Sequence, residues 1–138
     1  MSSEEIYRER MYRVTGAAMK LYNELGPGYS EAVYQECLSI ICDELSIPWE
    51  REKTLDMYFH GHILDKKYKV DFVCYDDLIV EIKAVSELLS EHRAQLFNYL
   101  RITNSDYGML INFGEPNRLH AEKFIYDYDM KMYGLIRG

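Results

Sequence analysis

Between residues 4 and 24, apolar side chains recur at three- and four-residue spacings with charge between them. Ile6, Tyr7, Met11, Val14, Ala18 and Leu21 form the stripe, and Leu25 closes it. That period predicts an amphipathic helix. Gly26-Pro27-Gly28 ends it, because proline disfavours a helical residue before it and glycine takes up backbone angles closed to other residues. A second helix is predicted from Ser30, its N-cap, to about Leu45. From residue 49 to 83 the period falls to two. The segments "WEREKTLDMYF", "KYKVDFVCY" and "LIVEIK", separated by "HGH" and "DD", predict three strands in a meander with hairpin turns. "ELLSEHRAQLFNYLRIT" returns to the helical period. "YGMLINF" predicts a strand closed by Gly114 and Pro116, and a further strand is expected near 119–126 with a short helix or loose end after it. The order α-α-β-β-β-α-β predicts an α/β fold, with helices against a mixed sheet. A length of 138 residues, without repeat or linker, is that of one domain spanning 1–138.

Some polar residues break this pattern. Glu81 and Lys83 share one face of "LIVEIK" with Ile79, and Asp71 shares its face with Lys69 and Val73. A turn at Asp76-Asp77 would allow Asp71 and Glu81 to meet on one face, although the turn alone does not fix the register. Glu31 stands one turn before Tyr34 on the stripe that continues through Leu38, Ile41 and Leu45. Gln95 and Tyr99 are four apart on the third helix. Each has a structural reading as well: Glu81 and Lys83 as an ion pair at a strand end, Glu31 as a carboxylate favoured by the helix dipole, Gln95 and Tyr99 as ordinary surface and core residues. Asp76 and Asp77 read as turn formers, and His60 and His62 as the tip of a hairpin.

Composition narrows the class. Hydrophobic residues make up 48% and charged residues 28%, as in ordinary globular proteins. No apolar run reaches membrane-spanning length and "MSSEEIYRER" has no secretory h-region. Cys37, Cys42 and Cys74 form no C-x-x-C pair and read as buried thiols of a reducing cytoplasm. The net charge of −7 runs against a phosphate-binding protein, and the basic clusters (Arg8, Arg10 and Arg13; Arg51 and Lys53; Lys66, Lys67 and Lys69) read as solvated faces. Inward carboxylates beside a lysine nevertheless suit metal-assisted phosphodiester hydrolysis. Hard oxygen ligands hold Mg²⁺ or Mn²⁺, and an ammonium neutralises developing charge.

Asp71 followed by Glu81-Ile82-Lys83 on the next strand resembles the D…(D/E)-x-K signature of the PD-(D/E)XK nuclease superfamily, with Val70 in the place of its proline. "LGPGYSEAVYQECL" resembles the G-x-x-E-x-x-Y motif of one bacterial family in it, through Gly28, Glu31 and Tyr34. "HRAQLFNYLRIT" and "GMLINFG" resemble that family's next landmarks. The resemblance runs from about Val14 to Gly114. It implies a restriction-endonuclease-like core and a Mg²⁺- or Mn²⁺-dependent nuclease acting on DNA or RNA. Glu31, Asp71 and Glu81 would hold the metal, Lys83 would be the catalytic lysine, and Gln95 and Tyr99 would support site and substrate. The alternative is a catalytically inactive nuclease-fold module that binds or regulates. An acidic nuclease of this size is expected to form a homodimer or borrow a basic protein partner.

Overall fold

The structure is a computed structural model, and residues 1–136 are described. Helix α1 (Ser3–Leu25) starts at a capping box, with the Ser2 hydroxyl on the Glu5 N–H and the Glu5 carboxylate on the Ser2 N–H. Helix α2 (Glu31–Glu44) is capped by Ser30. The turn between them requires its glycines: Gly26 and Gly28 have φ of +68° and +112°. Tyr34 clamps it by donating its hydroxyl to the Gly26 carbonyl at 2.5 Å and accepting the Tyr29 N–H at 3.3 Å. Its ring stacks on Phe113 at a centroid distance of 4.6 Å.

The strands are β1 (Trp49–Leu55), β2 (Tyr58–Phe59), β3 (His62–Ile63), β4 (Tyr68–Cys74), β5 (Leu78–Lys83), β6 (Tyr107–Asn112), β7 (His120–Asp127) and β8 (Met132–Leu135), with helix α3 (Ser90–Thr103) between β5 and β6. Six of them form a sheet in the order β1-β4-β5-β6-β7-β8, antiparallel except for the parallel β5–β6 pair that α3 connects. Alternate residues of β5 and β6 serve opposite layers. Leu78, Val80, Ile82, Met109 and Ile111 pack with α1 and α2, whereas Ile79 and Leu110 pack with Leu96 and Leu100 of α3. Gly114, just beyond β6, lies so close to the backbone of Ala84 and Val85 that a Cβ would be only 2.6 Å from the Ala84 carbonyl carbon. This close approach holds the ends of β5 and β6 together.

The expected mixed sheet flanked by helices is present. Two elements differ from expectation. The alternation at 49–59 is not one strand: β1 ends at Leu55, and the chain leaves the sheet as a separate β2–β3 ribbon, so β1 pairs with β4 across this excursion. Tyr58 and Phe59 are strand-favouring aromatics that prolong the apolar signal without being buried, which is why the sequence hides the break. The tail after residue 126 forms β8 instead of a helix or loose end. The Asp127 carboxylate accepts the N–H groups of Asp129 and Met130 to form an Asx turn. The returning strand then inserts Tyr133 against Phe97, ring on ring at 5.0 Å. The last two residues of that tail lie outside the described residues.

Candidate active site

The β4–β5 ladder pairs Phe72 with Val80, Val73 with Ile79 and Cys74 with Leu78, and ends there. Beyond it come Asp71 and Glu81, whose carboxylates take over backbone donors. The Asp71 Oδ2 accepts the Ile82 N–H at 2.7 Å, and the Glu81 Oε2 accepts the Asp71 N–H at 3.4 Å. Both carboxylates lie on the α3 side, the side of Val73 and Ile79. The register that the turn left open therefore brings the two acids together.

Glu81 is 3% exposed, and its Oε1 is buried without a hydrogen-bond partner. Burial, reinforced by the Asp71 carboxylate, pushes its carboxyl up to about 10. A buried, partnerless carboxylate oxygen beside a second carboxylate is a costly arrangement in a bare protein. A divalent cation on the same oxygens would offset both desolvation and repulsion. The donor set is hard oxygen, which suits Mg²⁺ or Mn²⁺.

Lys83, two residues along β5, shares the Glu81 face and is half-buried. Its ammonium donates to the Gln95 Oε1 of α3 at 3.2 Å. Tyr99, one turn further along α3, is close enough to Glu81 and Asp71 that their charges add to burial in raising its phenol. The structure thus assembles Asp71, Glu81, Lys83, Gln95 and Tyr99 between the sheet and α3. Gln95 and Tyr99 also line an open groove of about 490 Å³, whose opposite wall is the Lys66–Lys69 segment leading into β4.

Glu31 does not join this group by any hydrogen bond or ion pair among the described residues. It lies half-buried in the first turn of α2, whose stripe packs on the other layer through Tyr34, Leu38 and Ile41. Among the described residues, no three His, Cys, Asp or Glu side chains are arranged to hold an ion. Of the three candidate acids, Asp71 and Glu81 are the two brought together. His92 caps α3, its Nδ1 accepting the Leu89 N–H at 3.0 Å. Asp77 closes the β4–β5 turn onto α1 by accepting the Tyr7 hydroxyl.

One polar cluster left little trace in the sequence pattern. Arg93 of α3 grips Glu122 of β7 in a two-pronged pair at 2.6 and 2.8 Å, and His120 bridges Glu122 to Glu115. Asn112, fully buried at the end of β6, binds both the N–H and the carbonyl of Val85. The partners are up to 29 residues apart. Only the acidic residue at an inward position of "HAEKFIYD" hints at them.

A mixed sheet whose antiparallel β4–β5 pair parts at an aspartate and an E-x-K segment, with a glutamine-bearing helix over the lysine, defines a restriction-endonuclease-like α/β core. The chain belongs to the PD-(D/E)XK nuclease superfamily, whose family model matches residues 8–124. The crystal structure of SSO0001 shares its fold, with a TM-score of 0.53 at 20% sequence identity. The match covers 67% of this chain and 48% of that one, so it spans about half the length of that solved chain. No curated protein matches the chain significantly.

Proposed function

We propose that the protein is a metal-dependent nuclease that hydrolyses phosphodiester bonds of DNA or RNA at the Asp71–Glu81–Lys83 cluster. One observation carries the reading: Glu81 keeps a buried carboxyl oxygen without a hydrogen-bond partner, beside the Asp71 carboxylate and on the same strand face as Lys83. Asp71 and Glu81 would hold Mg²⁺ or Mn²⁺, and Glu31 from α2 is the third carboxylate we assign to the metal. When bound, the cation supplies an activated water at neutral pH and neutralises charge at the scissile phosphate. Lys83 orients the attacking water and donates to the oxygen that gains negative charge. Gln95 fixes the Lys83 ammonium through its amide oxygen, and Tyr99 closes the apolar side of the site and supports the substrate. The G-x-x-E-x-x-Y resemblance is part of this reading: Tyr34 holds the turn that carries Gly28, and Glu31 opens the helix. No helix among the described residues is long and apolar enough to cross a membrane. A homodimer or a basic partner would complete the substrate surface.

A non-catalytic binding module is the second reading, favoured by the net charge of −7 and by the separation of Glu31 from the pair. A Mn²⁺ titration followed by electron paramagnetic resonance, with Asp71→Asn alongside, discriminates them. The parent should bind Mn²⁺, and Asp71→Asn should lose at least tenfold in affinity. Lys83→Ala should retain Mn²⁺ and lose cleavage of nucleic acid. A parent that stays metal-free at about millimolar Mn²⁺, where cations that keep several of their waters begin to bind, would favour the module.

A further inference from the structure

The β2–β3 ribbon projects from the sheet with neither face covered. Tyr58 and Phe59 are each 63% exposed and Ile63 is 55% exposed. The cross-strand pairs Tyr58–Ile63 and Phe59–His62 place exposed apolar surface on both faces, and His60 packs on the Phe59 ring at 4.2 Å. His60 and Gly61, both at positive φ, form its tight turn. An isolated two-stranded hairpin gains little stability of its own in water, so these rings do not serve a core.

The base of the arm is closed by the Leu64 N–H on the Met57 carbonyl at 2.9 Å and by Lys67 on Asp56 at 2.7 Å. The next residues form one wall of the groove that ends at Gln95 and Tyr99. Three lysines against one glutamate, Glu91, line this groove in a chain whose net charge is −7. Lys66 and Lys69 are exposed and have no ion pair among the described residues. With Lys67 paired to Asp56, Lys66 and Lys69 supply the unpaired positive charge where the chain runs from the exposed rings toward the Lys83 site.

We propose that the β2–β3 arm and the Lys66–Lys69 groove form a substrate-holding path for single-stranded nucleic acid, the arm's rings stacking on unpaired bases and the lysines following the phosphates. A duplex can use the lysines but not the rings, since its bases already stack on one another. Exposed aromatics joined to a basic groove favour a strand whose bases are free. The proposal names the substrate class of the nuclease reading and rests on it, but its test does not require cleavage.

The test is fluorescence anisotropy in EDTA with labelled 20-nucleotide single-stranded DNA, single-stranded RNA and duplex DNA. The single strands should bind roughly tenfold tighter than the duplex, and whichever of DNA or RNA binds better identifies the sugar. Tyr58→Ala/Phe59→Ala should lose roughly tenfold on single strands and less than twofold on duplex, a change consistent with the loss of one stacked base. Lys66→Ala/Lys69→Ala should weaken both substrates and lower the single-strand salt slope by about 1.4. Equal binding of duplex, or unchanged binding by the aromatic variant, overturns the path. So does a parent dimer in sedimentation that Tyr58→Ala/Phe59→Ala converts to monomer, because the arm would then serve self-association. Single-strand binding without cleavage in Mn²⁺ would leave the path standing and refute the nuclease reading. Metal-dependent cleavage of duplex with no single-strand preference would do the reverse.

Discussion

Glu81 is the acid of the candidate site whose charge the fold disfavours. Its carboxyl ordinarily ionises near 4.5 and in the fold is held up to about 10, so folding without metal takes up a proton across that window. A raised acid destabilises the fold progressively as pH rises from about 4.5 toward 10, because the unfolded chain ionises and the folded one resists. Glu81→Gln has no such charge to suppress. In EDTA at pH 8 it should melt higher than the parent, with the gap narrowing toward pH 5. A gain of about 1 kcal/mol corresponds to roughly 2–6 °C for a domain of this size. Thermal melts at the two pH values check it. A variant that melts lower at pH 8 would show that the carboxylate is a structural acceptor and not a suppressed charge.

The elements are tied by polar contacts as well as by the two hydrophobic layers. Arg93 joins α3 to β7 through Glu122, which is only 8% exposed. The guanidinium beside Glu122 holds its carboxyl below the usual carboxylate value, with His120 adding to the effect. A depressed acid contributes stability that is fully present above the ordinary value and lost as pH falls through the folded one. Glu122→Gln should therefore cost about 1–3 kcal/mol at pH 7 and less near pH 3. The lower end of that range is expected, because Arg93 retains about a third of its side-chain exposure. Urea denaturation at the two pH values measures both. An equal loss at both would assign the effect to packing instead of charge.

For the whole molecule, binding of a metal at the proposed site would be linked to folding. An ion that binds the native Asp71–Glu81 pair and not the unfolded chain stabilises by about 2.7 kcal/mol at a hundredfold excess over its dissociation constant. Mn²⁺ at such an excess should raise the melting temperature of the parent by several degrees and leave that of Asp71→Asn close to its metal-free value. A shift of equal size in both would place the ion elsewhere. At this scale the charge distribution also acquires meaning. A net charge of −7 coexists with a lysine-lined groove beside the acidic pair, so overall sign is a poor guide to what a local surface attracts.

By itself the sequence determined the helices, the central strands and the inward position of Glu81, because those signals are local. Periods of 3.6 and 2, a Gly-Pro-Gly break and an E-x-K repeat need no distant partner to be read. Asp71 and Glu81 were legible as inward acids because each interrupts an apolar strand. Their contact was not, since it depends on a register that only the folded hairpin fixes. The tertiary structure alone decided that β1 passes over an excursion to pair with β4, that the tail returns as β8, and that Arg93 meets Glu122. It also decided that Lys66 and Lys69, both exposed, line the same open groove as Gln95 and Tyr99. Each of these depends on residues far apart in the chain, whose juxtaposition is set by which faces the sheet and helices must bury, and a one-dimensional pattern does not carry that information.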